Sequence, residues 1–96
     1  MKAKQLFYYK GRQGDLIIEM VLWQLPEPLL GSFHRFKYRL FCGERDACHV
    51  RYDNETGKGD HVHFANTEQA YRFINPKQLV VDFWADVARL TAWRFL

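Results

Sequence analysis

The alternation of apolar and polar residues on both sides of a glycine-bearing loop constrains this fold more than any other sequence feature. It runs through Arg51 to Phe64, RYDNETGKGDHVHF. Apolar residues recur every second position before and after the loop, which is typical of strands with one buried face. The two glycines between the strands let the backbone turn back. The pattern therefore predicts two antiparallel strands joined by this loop.

Alternation also assigns each polar side chain to a face, because successive strand residues point to opposite sides of a sheet. If the apolar residues face a core, Asp53 lies beside His61 and Arg51 lies beside His63 on the opposite, solvent-facing side. A shift of one residue in this pairing would bury both histidines. We therefore expect the polar residues of both strands to share one surface.

A third strand continues this surface. Residues 36–42, FKYRLFC, alternate in the same way, with Lys37 and Arg39 on the polar side. If Cys42 and Cys48 face each other across the following turn, antiparallel pairing aligns the polar residues of the three strands. The expected rows are Lys37 with Asp53 and His61, and Arg39 with Arg51 and His63.

The remaining segments complete an α+β pattern. Residues 5–10 and 15–24 are rich in aromatic and branched residues and predict two more strands. Between them and the third strand, residues 25–35 contain two prolines and a glycine, which predicts a loop. Its last residues, His34 and Arg35, are placed near the polar surface, where we expect them to contact a substrate.

Asn75 and Pro76 predict the start of a helix, because asparagine accepts from free backbone amides and proline suits the first helical position. Apolar residues then recur at helical spacing to Leu90. We expect a single domain, residues 1–96, with a mainly antiparallel sheet of about five strands and a C-terminal helix packed on one face. Beyond the helix, further packing or contact with a second chain, as in a homodimer, is expected from Trp93, Phe95 and Leu96.

Composition excludes the disordered class, because 48% of the residues are hydrophobic and 17% are aromatic. The formal net charge of +3 favours an acidic or polyanionic partner. No apolar run approaches the ~20 residues that span a bilayer, and the first residues lack the apolar centre of a signal peptide. We therefore expect a cytoplasmic protein without membrane contact, with Cys42 and Cys48 as reduced, core-filling thiols.

Two histidines beside a carboxylate and several cations are the groups needed to cleave RNA without a metal. One histidine takes the proton of a 2′-hydroxyl, and a second group protonates the departing oxygen. We expect His61 and His63 to be this acid and base, with Asp53 or Asp60 orienting an imidazole. Phosphate contacts and stabilisation of the transition state are expected from Lys37, Arg39, Arg51 and Lys58.

Three alternatives stay open. The polar residues could be solvated strand side chains, although Arg39 and Arg51 as neighbours would repel each other without an anion between them. Asp53, His61 and His63 could bind a metal, which we disfavour because nearby cations would repel a divalent ion. The chain could also be a non-enzymatic module whose basic face binds nucleic acid or an acidic protein. We expect no cofactor.

Four segments resemble one protein family: PEPLLGSFHR, FKYRLF, RYDNETGKGDHVHF and YRFINPKQLVVDF. They are similar to the TumE-type toxins, small bacterial and archaeal proteins encoded beside a helix-turn-helix antitoxin. The resemblance runs from about Gly14 to Ala88 and is most specific in YDNETGKGDHVH. It implies a toxin held inactive by its cognate antitoxin, with ribonuclease activity as the expected mode of toxicity.

Overall fold

The computed structural model describes residues 2–95, which form one antiparallel sheet and one helix. The elements in chain order are β1 (Lys4–Gln13), β2 (Leu16–Gln24), β3 (Phe36–Glu44), β4 (Ala47–Glu55), β5 (Gly59–Phe64), β6 (Thr67–Ala70) and α1 (Pro76–Leu90). Each strand pairs with the next one along the chain, so the order in the sheet is β1-β2-β3-β4-β5-β6. The predicted α+β class is confirmed.

The structure contains six strands, one more than the sequence predicts. The additional strand, β6, has four residues that are all exposed, so it lacks the alternation that marks a strand with one buried face. Backbone pairing with β5 holds it in place, from His61 opposite Ala70 to Phe64 opposite Thr67. It forms one edge of the sheet.

The core lies between the sheet and α1. The helix begins as predicted, because the Asn75 side chain accepts a hydrogen bond of 2.8 Å from the Gln78 amide and Pro76 occupies the first turn. Its buried face is formed by Leu79, Phe83 and Val87. The strands contribute alternating residues to this core, namely Ile18, Met20, Leu22, Tyr38, Leu40, Cys42, Val50, Tyr52 and Val62.

The register between β4 and β5 is the predicted one, with Asp53 opposite His61 and Arg51 opposite His63. The predicted register between β3 and β4 is wrong by two residues, although the faces are unchanged. Cys42 pairs with Val50, Arg39 pairs with Asp53, and a bulge follows Cys42. Gly43 permits this bulge, because a Cβ at this position would overlap the Ala47 carbonyl oxygen. Both cysteines are free thiols.

The loop of residues 25–35 closes on itself and on the β4–β5 turn. The Leu25 amide donates to the Arg35 carbonyl at 2.6 Å, and the Gly57 amide donates to the Leu30 carbonyl at 2.7 Å. After α1, Trp93 is buried, whereas Phe95 is 53% exposed and Leu96 lies outside the described residues. Within residues 2–95, no helix is long and apolar enough to cross a membrane.

Candidate active site

The outer face of the sheet, which we define as the face turned away from α1, carries most of the predicted site residues. Across β3, β4 and β5 its two central rows are Arg39, Asp53 and His61, and Phe41, Arg51 and His63. Lys37 lies on the same face of β3, two residues before Arg39. The six residues predicted to share a surface therefore do so, with different partners for the two from β3.

Asp53 and His61 form a buried pair at the centre of the outer face. Their exposed fractions are 7% and 4%, so the expectation that both side chains face solvent is wrong. Neighbouring side chains on the same face flank them, with the His63 ring centroid 4.9 Å from that of His61. His61 Nε2 lies against Asp53 Oδ1, yet both atoms lack a partner with hydrogen-bond geometry.

The orientation of the His61 imidazole is set by its other nitrogen. His61 Nδ1 lies 3.1 Å from the Gly59 carbonyl oxygen. Because a carbonyl oxygen can only accept, Nδ1 carries the hydrogen, and in the neutral ring Nε2 then presents a lone pair. His61 Nε2 lies against Asp53 Oδ1 without the alignment of a hydrogen bond. A neutral ring nitrogen and a carboxylate oxygen repel each other, so a positive charge, either a proton or a cation, would stabilise this contact.

His63 is held as a neutral acceptor by Arg51. Arg51 Nη2 donates to His63 Nε2 at 3.0 Å, and Arg51 Nε lies 3.1 Å from Asp53 Oδ2. Burial lowers the pKa of His63, and the adjacent guanidinium of Arg51 lowers it further. Arg51 therefore links the carboxylate to the second imidazole, and its hydrogen bond occupies the Nε2 lone pair of His63.

Glu68 is a site residue that the sequence analysis missed. Its Oε1 atom lies 3.7 Å from His61 Nε2 and 4.0 Å from His63 Nε2, and it forms a salt bridge of 3.0 Å with Lys58. The ion pair lowers the pKa of Glu68 and raises that of Lys58. A signal existed, because a two-residue turn after Phe64 aligns Glu68 with His63. Lys58 contacts the Glu68 carboxylate and is linked to the two histidines through it.

A cavity of about 450 Å³ opens on the outer face beside the buried pair. Its wall includes the aromatic ring of Trp23 and three cationic side chains next to Asp53, namely Lys37, Arg39 and Arg51. Arg39 is half exposed and lies 3.8 Å from Glu19, so its guanidinium remains available to a ligand. The cavity therefore combines a flat apolar surface with positive charge, as anionic aromatic ligands require.

Two predicted residues lie elsewhere. Asp60 and His34 are on the α1 side of the sheet, where His34 Nε2 lies 2.8 Å from Asp60 Oδ2 and Tyr38 donates to the same oxygen. His34 stacks on Phe73 with ring centroids 3.9 Å apart. Asp60 therefore cannot orient His61 or His63, and His34 does not line the outer cavity. The other loop residue predicted to bind substrate, Arg35, is exposed at the end of its loop.

Comparison with known proteins gives one match. A family model described as Toxin TumE matches residues 2–91, which is nearly the whole chain. It includes all of the outer-face residues described above as well as Glu68 and Lys58. No curated protein and no solved structure matches the chain.

Proposed function

The chain belongs to the TumE toxin family, and from this premise we propose that it is a toxin that cleaves RNA at the outer face. Membership itself supports a toxin role and implies an antitoxin partner. We further propose that this antitoxin is of the helix-turn-helix kind and that the toxin acts in the cytoplasm.

The observation that carries the proposal is the pair formed by His63 and Arg51. His63 Nε2 accepts from Arg51 Nη2 at 3.0 Å, so a basic lone pair lies next to a cation that can bind a phosphate oxygen. In RNA the 2′-hydroxyl adjoins the phosphate, so a phosphate on Arg51 brings this hydroxyl to the imidazole. As Arg51 turns to the phosphate it releases His63 Nε2, which then takes the hydroxyl proton as general base.

The remaining steps use the buried pair. The 2′-oxygen attacks phosphorus, the bond from phosphorus to the 5′-oxygen breaks, and the departing oxygen needs a proton. We propose that His61, whose Nε2 lies against Asp53 Oδ1, supplies this proton. The products are a 2′,3′-cyclic phosphate and a 5′-hydroxyl end. Arg51 stabilises the charge that develops on the phosphate oxygens.

The cavity supplies the binding site in this proposal. Arg39 and Lys37 contact the flanking phosphates, and Trp23 offers a face on which a base can stack. These contacts are independent of base identity, so they give affinity without a strong sequence preference. The same cavity also fits the non-enzymatic alternative, a toxin that binds RNA without cutting it.

Incubating the purified toxin, free of its antitoxin, with a long RNA transcript in excess chelator tests the proposal. We expect cleavage that leaves 5′-hydroxyl ends, and no cleavage of DNA with the same sequence. A His61→Ala variant should lose both cleavage and growth arrest, with circular dichroism showing that it still folds. Binding without cleavage would support the non-enzymatic alternative, and 5′-phosphate ends would exclude attack by the 2′-hydroxyl.

A further inference from the structure

We propose that Asp53, His61 and His63 form a binding site for a divalent transition-metal ion such as Zn²⁺, with Glu68 as a fourth ligand. Metal binding itself does not depend on RNA cleavage. Its consequence for activity deepens the proposed function and rests on it. The site lies on the outer face between β4, β5 and β6.

The donor atoms converge on one point. One oxygen of Asp53 and one nitrogen of each histidine all lie within 4.8 Å of one another. Glu68 Oε1 adds a fourth donor, 3.7 Å and 4.0 Å from the two histidine nitrogens. Ligands about 2.1 Å from a tetrahedral zinc ion lie roughly 3.4 Å apart. Small side-chain rotations therefore suffice to enclose an ion.

The unpaired atoms also indicate a cation. Asp53 Oδ1 and His61 Nε2 are both buried and both lack a hydrogen-bond partner. The His61 Nδ1–H donates to the Gly59 carbonyl, and such a bond from the second nitrogen to a backbone carbonyl is the usual support for a metal-bound imidazole. A metal ion bound by both atoms would satisfy them once the two side chains move apart to the ligand spacing of about 3.4 Å.

The cations on this face do not exclude an ion. Arg39 faces Glu19, and among the lysines and arginines of residues 2–95 Arg51 is the one within salt-bridge distance of Asp53. Lys58 lies 3.0 Å from Glu68 Oε1, so it must leave this oxygen when Glu68 binds the ion. Arg51 also donates to His63 Nε2, the lone pair that a metal would use. We infer that the guanidinium and the metal compete, and that Arg51 swings into the adjoining cavity, which it already lines, when the metal binds.

Metal binding then has a defined effect on the proposed reaction. Coordination occupies the His63 lone pair that accepts the 2′-hydroxyl proton, and it occupies His61 Nε2, which supplies the proton for the departing oxygen. Both groups are lost to proton transfer at once. The metal-bound protein should therefore be an inactive form, and removing the ion should restore cleavage.

Cobalt and zinc added separately to the chelator-treated toxin test the site without RNA. We expect one Co²⁺ per chain, with the visible absorption of a four- or five-coordinate ion, displaced by one equivalent of Zn²⁺. His63→Gln should weaken Zn²⁺ binding at least about ten-fold. His61 is buried, so a His61→Ala variant that misfolds would give no information on metal binding. His63 is half-buried, so we expect His63→Gln to fold and to report on the metal site.

Two charge variants examine the competition. Arg51→Gln should tighten Zn²⁺ binding several-fold, because it frees the His63 lone pair and removes the nearest positive charge. Arg39→Gln removes the same charge from the same face without touching the donors, so it should leave the affinity nearly unchanged. His49→Ala is the matched histidine control, since His49 pairs with Glu44 at 3.2 Å on the β3–β4 hairpin.

Absence of one-to-one binding, or an affinity that His63→Gln leaves unchanged, would overturn the metal site. The RNA assay in chelator is an independent measurement. If the toxin binds zinc and cuts no RNA, the metal site stands and the proposed function is wrong. If the toxin cuts RNA and binds no zinc, the proposed function stands and the metal site is wrong. Acceleration of cleavage by zinc would support the site and overturn the inhibited state.

Discussion

Two histidine–carboxylate pairs lie back to back in this sheet, because the adjacent residues Asp60 and His61 point to opposite faces of β5. The inner pair, Asp60 with His34, is on the α1 side. The outer pair, Asp53 with His61, is on the opposite side. The two pairs share their residue types and their partial or complete burial, yet they differ in how their polar atoms are satisfied.

Every side-chain nitrogen and the shared carboxylate oxygen of the inner pair have partners. His34 Nδ1 accepts from the Phe36 amide at 3.1 Å, which places the hydrogen on Nε2, and this nitrogen donates to Asp60. Tyr38 donates to the same carboxylate, and both burial and this carboxylate raise its pKa. Such a closed network fixes the loop before β3 against β5, and we assign it a structural role.

The outer pair is incomplete by the same measure. Asp53 Oδ1 and His61 Nε2 are buried and in contact but lack the alignment of a hydrogen bond, and an arginine reaches across both Asp53 and His63. Unsatisfied buried polar atoms cost folding free energy, which a sequence tolerates mainly where another group binds. The comparison therefore separates structure from function more clearly than residue type does.

Replacing His63 should have the largest effect. We expect His63→Ala to reduce the rate of RNA cleavage by about 10² to 10⁴-fold, because the general base is lost. Stability should change by no more than about 1 kcal/mol, since the imidazole is half-buried and its partner can turn to water. Cleavage rates and urea denaturation measure the two effects. His49→Ala should leave both unchanged, and a fully active His63→Ala protein would disprove the catalytic assignment.

Replacing Asp60 should give the opposite result. Asp60→Ala removes the acceptor of both His34 and Tyr38, so we expect a loss of about 3 kcal/mol in the free energy of unfolding. Asp60→Asn keeps an acceptor and should cost less. The rate of RNA cleavage per folded molecule should persist in both variants when it is measured under conditions in which they remain folded. If Asp60→Asn folds well and fails to cut RNA, the inner pair has a catalytic role after all.

Much of this contrast follows from the sequence. Alternation alone predicts the outer face and the β4–β5 register, because a buried apolar face and a two-residue period leave few options. The same rule turns the Asp60 side chain to the other face of the sheet from that of His61. The expectation that Asp60 orients an outer imidazole therefore contradicted the pattern. Counting through the turn after Phe64 would likewise have aligned Glu68 with His63.

Other features could not be read from the sequence. The register of β3 depends on a bulge that packing at Gly43 permits, and a bulge has no periodic signature. The burial of Asp53 and His61 depends on how the Arg51 and His63 side chains pack beside them. Such side-chain packing does not follow from the two-residue period of a strand. His34 was assigned to the wrong face because loop residues carry no alternation.

The bulge itself offers the next prediction. Gly43→Ala places a Cβ against the Ala47 carbonyl oxygen, so we expect a cost of about 1–3 kcal/mol in stability and weaker cleavage, because the bulge aligns Arg39 with Asp53. In Gly11→Ala the added Cβ meets only the end of the Tyr9 side chain, which can move, and the cost should be smaller. Chemical denaturation compares the two. Equal costs would show that the bulge does not depend on glycine.

The smallest effect is expected from Arg39→Gln. Arg39 and Glu19 are 46% and 38% exposed and 3.8 Å apart, so stability should change by no more than about 0.5 kcal/mol. RNA affinity is measured in a His63→Ala background, which prevents cleavage. The slope of the logarithm of RNA affinity against the logarithm of salt concentration should become shallower by about 0.7, the value for one lost phosphate contact. Arg12→Gln is the matched control, because Arg12 donates to the Gly14 carbonyl at the β1–β2 turn, away from the cavity. If both variants change the slope equally, RNA responds to net charge and not to the outer face.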